Sequence, residues 1–282
     1  MSEPVLRGFA EVAEGQVHFR HAGARHGGVP LVMLHASPGS AKMLEPMIAL
    51  FGRQRRVVAT DTLGNGDSSA PRGQAPEMAY FADAHLRALA AMGIERFDLY
   101  GAHTGANIAC EMAIAAPQHV RRLILDGVSL YSAEERADML ANYAPPVPLD
   151  QNGSQFNWVW HFVRDAFLYW PWYRRGAANR RSIALPSADD LHDKAVEVLK
   201  AIRSYHLSYN AAIRYDKAPR LPLVAVPTLL ACARTDMLVQ YFEQVQALMP
   251  GAEPLLTPGA GSAAALAETV ALFEGFLDRA SV

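Results

Sequence analysis

The sequence is poor in cysteine and lacks a long apolar run. Its 282 residues include 2 cysteines, Cys110 and Cys232. Both fall in segments that we interpret as buried elements, so a disulfide framework is not indicated. No apolar stretch approaches the roughly 20 residues that cross a bilayer, and no basic segment followed by an apolar one suggests a secretory signal. We expect a cytoplasmic protein that does not bind membranes.

An excess of one charge sign is also missing. The chain has 26 basic and 28 acidic residues and a net charge of −2, which gives no indication of a nucleic acid or an anionic membrane surface as partner. No two histidines have the spacing of HExxH or a comparable ligand pair, so we predict no metal site. We also expect no cofactor. The expected partner is a small-molecule substrate.

The pattern of the chain is one of alternating strands and helices. A β-rich opening at residues 9–20 is followed by this alternation, which indicates a mostly parallel sheet covered on both faces. An amphipathic helix is predicted over residues 76–92, with His85 on its surface. Residues 129–220 lack a run of strand-like segments and hold all four tryptophans. We therefore predict a core domain of residues 1–128 and 221–282, with a helical insertion at 129–220.

The most informative segment is YGAHTGA at residues 100–106. A short buried strand precedes it and an apolar helix follows it, as in the GxSxG nucleophile elbow. In that elbow, small flanking residues allow a sharp turn that exposes the central side chain. Here His103 stands where a serine normally does.

The motifs around this segment resemble those of the α/β-hydrolase superfamily. Residues 30–40, PLVMLHASPGS, are similar to a strand followed by HGxPG, with Ala36 in place of a glycine, and residues 57–68 are similar to the DxxGxGxS loop. The likeness is greatest to the capped branch that includes haloalkane dehalogenases, epoxide hydrolases and carbon–carbon bond hydrolases. It spans roughly residues 8–130 and 220–280. It implies an eight-stranded, mostly parallel sheet with helices on both faces and a helical cap at 129–220.

Two departures from the family pattern concern the catalytic residues. His103 replaces the nucleophile, and residues 258–263 resemble the loop of the catalytic histidine but carry Ser262 in its place. The family's acid is retained as Asp236 after a predicted strand. Because an imidazole is longer than a serine side chain, we expect His103 to reach Asp236. It would act as a general base, which we favour, or as a nucleophile. A permuted triad of Ser262, His103 and Asp236 is the alternative.

The resemblance also implies candidates around this dyad. Backbone N–H groups of Ser37 and Thr104 stand where the family forms its oxyanion hole. The aromatic rings of the insertion either hold it together or line a pocket for an aromatic or apolar substrate. Arg164 or Arg174 would hold a substrate carboxylate. We interpret His35 as structural but retain it with the substrate-binding candidates, which are His35, Trp158, His161, Arg164 and Trp170.

Three functions are compatible with these patterns. The favoured one is an atypical hydrolase of a small carbonyl compound, such as an ester, a lactone or a β-diketone. The second is a cofactor-independent lyase or isomerase in which His103 moves a proton beside a carbonyl. The third is a non-catalytic binding protein that retains the hydrolase fold. The sequence does not decide the oligomeric state. A homodimer is compatible with it, because exposed aromatic rings on the insertion would allow two copies to pair.

Overall fold

A computed structural model describes residues 3–279, which contain an eight-stranded sheet. The spatial order of the strands is β1-β2-β4-β3-β5-β6-β7-β8, with β2 antiparallel to both neighbours and every other pair parallel. This arrangement confirms the predicted fold class. The strands are β1 Leu6–Val12, β2 Gly15–Ala22, β3 Leu31–Leu34, β4 Val57–Thr60, β5 Phe97–Ala102, β6 Val120–Asp126, β7 Thr228–Ala233 and β8 Glu253–Thr257.

Helices cover both faces of the sheet. All four residues of β3 are buried, as a strand between two helical layers requires. Successive side chains point to opposite faces, so Val32 packs with α2 and α3 while Met33 packs with α1 and α9. The helices are α1 Glu45–Phe51, α2 Met78–Ala91, α3 Thr104–Ala115, α4 Ala133–Asn142, α5 Ser154–Leu168, α6 Ala188–Lys200, α7 Tyr205–Arg214, α8 Phe242–Leu248 and α9 Ala263–Leu277.

Helices α4 to α7 lie between β6 and β7 and share an apolar cluster of their own. Trp158 stacks on Phe162 with ring centroids 5.0 Å apart, and Trp172 donates from Nε1 to the carbonyl of Tyr143 at 2.9 Å. These rings therefore hold the inserted helices together. The division into a core domain of 1–128 and 221–282 and a cap of 129–220 stays a prediction. Among the described residues, no helix has both the length and the apolar character of a membrane span.

The expectation that His85 lies on a helix surface is wrong. Its ring is buried on the face of α2 that also carries Phe81 and Leu89, one turn away on either side. Its Nδ1 lies 2.8 Å from the hydroxyl of Thr60, and Nε2 lies 3.3 Å from that of Thr62. Burial lowers the pKa of His85 to about 3, so the ring is a neutral core residue. Both cysteines are buried free thiols, as predicted.

Candidate active site

His103 occupies a sharp turn between β5 and α3. Its φ of 49° and ψ of −107° are strained for a residue with a side chain, at a cost of about 1–3 kcal/mol. The flanking glycines make the turn possible. A Cβ atom on Gly101 would lie 2.3 Å from the carbonyl oxygen of Gly105, and one on Gly105 would lie 2.3 Å from that of Leu34. The backbone therefore has the shape predicted for an elbow.

The ring of His103 is hydrogen-bonded to Asp236. Its Nε2 lies 2.7 Å from Oδ2 of the carboxylate, and the other oxygen, Oδ1, accepts the N–H of Leu238 at 2.8 Å. Asp236 lies just after β7, where it begins a short 3-10 turn over Met237–Tyr241. Because the backbone holds Oδ1, Oδ2 is left directed at the imidazole. The two residues expected to form a dyad are thus brought together.

The charges around this pair favour an ionised Asp236. Burial acts to raise the pKa of Asp236, but the charge and hydrogen bond of His103 and the N–H of Leu238 outweigh burial and lower it. Burial acts to lower the pKa of His103, but Asp236, with a further contribution from Asp126, raises it above its ordinary value. An ionised Asp236 requires the proton of His103 to be on Nε2.

The other ring nitrogen of His103 is the free one. Within residues 3–279, Nδ1 has no hydrogen-bond partner, and it is not among the buried unpartnered atoms. The side chain is 33% exposed and lines a cavity of about 240 Å³ between the sheet and the inserted helices. In the neutral ring, Nδ1 is therefore a basic atom that a small molecule in the cavity can reach.

Ser37 and Thr104 line the same cavity as His103. Their backbone N–H groups form no hydrogen bond within the described part of the chain. Thr104 is the first residue of α3, where unpaired N–H groups and the helix dipole favour negative charge. Both residues thus have donors available to a bound oxygen. Trp170 also lines this cavity, so one of the two candidate tryptophans reaches it.

Ser262 lies away from the cavity. It is exposed and caps α9, and its hydroxyl accepts the N–H of Ala265 at 3.2 Å. A serine that precedes an apolar helix is a common N-cap, because its oxygen satisfies one of the first N–H groups. The permuted triad with His103 is therefore not assembled.

The remaining predicted substrate-binding residues do not line the cavity. His35 is buried, with Nδ1 2.9 Å from the carbonyl oxygen of Ala36 and Nε2 accepting the N–H of Thr62 at 2.9 Å. Both of its nitrogens are thus used within the loops that they join. Trp158 is stacked in the core of the insertion, and His161 lies half-buried on α5.

The two favoured arginines already have carboxylate partners. Nε of Arg164 lies 2.9 Å from Oδ1 of the buried Asp165, and Nη2 of Arg174 lies 2.9 Å from Oδ2 of Asp138. Both acids belong to the insertion itself, so each arginine is paired within the insertion. Neither guanidinium is presented to the cavity.

Besides three tyrosines, sequence reasoning missed four polar residues of the cavity wall, which are Asn107, Ser129, Arg181 and Lys194. The signal for Lys194 was present. It lies three residues after Leu191 and four before Val198, and both of these are buried on α6. Residues at this spacing share one helix face, so a lysine between them is a cation on an apolar face. Asn107 lies one turn into α3. Arg181 comes just after the 3-10 helix Ala177–Asn179, in a segment whose sequence gave no helix or strand pattern.

Comparisons with known proteins identify the family. The sequence model described as alpha/beta hydrolase fold matches residues 29–268. The chain belongs to this family, which confirms the predicted superfamily and the predicted class of enzyme, a hydrolase.

The chain is similar to named members and to solved structures. A Klebsiella pneumoniae (strain 342) protein with the provisional name carbamate hydrolase RutD is 29% identical over 84% of this chain and 85% of its own. The 2-hydroxymuconate semialdehyde hydrolase of Pseudomonas sp. (strain CF600) is 35% identical over 42% of this chain and 44% of its own. The crystal structure of the enol-lactonase from Burkholderia xenovorans LB400 superposes with a TM-score of 0.72 and 19% identity, covering 96% of this chain and 100% of that one. At that identity the structural likeness shows the fold alone.

Proposed function

We propose that this protein hydrolyses a small apolar or aromatic carbonyl compound, an ester, a lactone or a β-diketone, with His103 as general base. One observation carries the proposal. Nε2 of His103 is held by Asp236, while Nδ1 has no partner among residues 3–279 and the ring lines a cavity. A base for water activation needs this combination of a fixed tautomer and an accessible nitrogen.

The reaction follows from these positions. A water molecule donates a hydrogen bond to Nδ1 of His103, and its oxygen attacks the carbonyl carbon while its proton passes to Nδ1. The imidazolium that forms is stabilised by Asp236. The negative charge on the carbonyl oxygen is stabilised by the N–H groups of Ser37 and Thr104, which act as the oxyanion hole. When the carbon–leaving group bond breaks, Nδ1 returns the proton to the leaving group.

The base is preferred to a nucleophilic His103 because it needs no acyl-imidazole intermediate. The wall of the cavity supports an apolar or aromatic substrate, since Val163, Phe167, Trp170 and Ile213 all contribute to it. The hydrolase names of the relatives, one of them a carbamate hydrolase, also support hydrolysis at a carbonyl carbon.

The test is product analysis in water labelled with oxygen-18. Phenyl acetate, δ-valerolactone and benzoylacetone represent an ester, a lactone and a β-diketone. We expect at least one of them to be cleaved, with one labelled oxygen in the carboxylate product. A cleaved product without label would contradict hydrolysis and indicate a lyase. Failure of the enzyme to turn over any of the three classes would favour a binding protein.

A further inference from the structure

We propose that the substrate carries a carboxylate, and that Lys194 and Arg181 bind it in the cavity beside His103. This inference names a substrate class for the proposed carbonyl hydrolysis, on which it rests for the identity of the reacting group. The two cations were not predicted as site residues. The argument for them depends on where their possible counterions lie.

Lys194 is a cation without a counterion. It reaches the cavity from α6 and is half-buried. Its Nζ lies against the loop after β3, since a Cβ atom on Gly39 would lie 3.2 Å from it. Within residues 3–279, this ammonium group has no ion pair and no hydrogen bond.

The acids on either side of Lys194 along α6 have other partners: Asp193 lies 3.7 Å from Nζ of Lys42, and Glu197 is also in use. One of its oxygens accepts the hydroxyl of Ser40, and the other lies 3.3 Å from Nζ of Lys200. Lys200 in turn pairs with Asp67 at 3.0 Å. Glu197 and Lys200 are therefore held by each other and by loops of the core, and Lys194 is not part of this network.

Arg181 is the second cation of the cavity wall. Its Nη1 donates to the carbonyl oxygen of Ala166 at 3.1 Å, and it has no carboxylate partner within the described residues. The rest of its guanidinium fork is available, and such a fork binds a carboxylate well. The neighbouring Arg180 does not line this cavity.

The wall that contains these two cations holds no acid. Among the described residues that line the cavity, none is an aspartate or a glutamate. Asp236 lies behind His103 and is hydrogen-bonded to it. Desolvating a cation is unfavourable unless an anion approaches it, and a bound carboxylate would supply that anion.

The shifts in pKa agree with this arrangement. Burial lowers the pKa of Lys194 to about 8, with Glu197 opposing the shift. At pH 7 the side chain is still mainly protonated. The charge of Lys194 acts on His103, and that of Arg181 acts on Asp236, so each cation lies near one member of the dyad.

The experiment compares two probes of nearly the same shape. Phenylacetate carries a negative charge and phenylacetamide does not. Neither compound is an ester, a lactone or a β-diketone, so neither belongs to the proposed substrate classes. Calorimetric titration at pH 7 should show that the protein binds phenylacetate about tenfold to a hundredfold more tightly, the range expected for hydrogen bonds to charged groups. Lys194→Met and Arg181→Met should each reduce this preference, and the double variant should abolish it.

Matched controls keep the result specific to the cavity. Lys200→Met removes a cation from the same helix, and Arg180→Met removes the neighbouring guanidinium; both should retain the preference. Lys194→Arg keeps the charge and should also retain it. Because Lys194 has no partner to lose, Lys194→Met is expected to fold as well as the wild type.

Three results would overturn the inference. They are equal affinities for the two probes, a preference that survives in the double variant, and no binding of phenylacetate at about 10 mM, a concentration well above a weak Kd. The proposed function fails separately. If the protein prefers phenylacetate but cleaves no carbonyl compound, the carboxylate site is supported and the proposed hydrolysis is contradicted. If it cleaves neutral esters but does not prefer phenylacetate, hydrolysis is supported and the carboxylate site is contradicted.

Discussion

Gly127 lies directly against the ring of His103. A Cβ atom added at Gly127, which follows β6, would lie 2.6 Å from Cδ2 and 2.8 Å from Nε2 of the imidazole. The missing side chain therefore leaves the room in which the ring reaches Asp236. A larger residue at this position has to displace the ring.

Gly127→Ala is expected to reduce turnover at least tenfold, because a shift of about 1 Å in a catalytic group can cost 10²-fold in rate. Gly93→Ala is the matched control. Gly127 and Gly93 have φ values of +68° and +69°, and nothing lies within 4 Å of the added Cβ at Gly93. Both variants should lose about 1 kcal/mol of folding free energy from the left-handed backbone. Equal activities of the two variants would contradict the role of the contact.

Asp236→Asn tests the influence of the carboxylate on the imidazole. The amide oxygen can still accept the N–H of Leu238, so the turn is expected to persist. With the negative charge removed, burial dominates, and the pKa of His103 should fall below its wild-type value. NMR titration of the ring measures this shift, and kcat should fall by about 10²–10⁴-fold because the tautomer is no longer fixed. An unchanged pKa would show that the hydrogen bond is absent in solution.

The pH profile should have two limbs. His103 acts as a base when it is unprotonated, so kcat/KM should rise with pH through its raised pKa, above 6.5. Lys194 binds a carboxylate when it is protonated, so kcat/KM for an anionic substrate should fall as the pH rises through about 8.

Two variants assign the limbs. Lys194→Met should remove the alkaline limb, and it should also move the acid limb slightly to higher pH, because the positive charge of Lys194 acts to lower the pKa of His103. Asp236→Asn should move the acid limb to lower pH. The groups that face His103 are Asp236, Asp126 and Lys194, and Glu197 faces Lys194. An alkaline limb that persists in Lys194→Met would contradict the assignment.

Ser262→Ala separates a helix cap from a catalytic serine. The substitution removes the oxygen that accepts the N–H of Ala265, so it should cost about 0.5–2 kcal/mol of stability. Turnover should be unchanged. A fluorophosphonate probe should leave Ser262 unlabelled, and its labelling would restore the permuted triad.

Local patterns predicted much of the architecture. Gly101 and Gly105 flank His103 between a buried strand and an apolar helix. The lack of a side chain at both glycines allows the sharp turn at His103. Asp236 at the end of a strand-like segment was expected near His103 and is hydrogen-bonded to it. The turn depends on residues close in sequence, whereas the position of Asp236 was implied by the resemblance to the hydrolase superfamily.

The partners of the charged side chains were not predictable in the same way. The association of Arg174 with Asp138 on α4 depends on how the inserted segments pack, and the Arg164–Asp165 pair between neighbours of α5 was passed over. For Lys194 and for His85, the helical spacing to buried neighbours was informative, but polar residues on an apolar face were interpreted as surface residues or passed over. Burial of a polar side chain depends on tertiary partners such as Thr60, which lies on another element.

The most direct test of the account is the turnover of His103→Gln, measured on the best substrate of the oxygen-18 panel and set against the wild type. Glutamine has a similar length and can bind Asp236, but it cannot take a proton from water. The account predicts that kcat falls by about 10²–10⁴-fold, while the unfolding temperature stays within about 4 °C of the wild type. A folded His103→Gln variant that retains wild-type turnover would contradict the central role of His103.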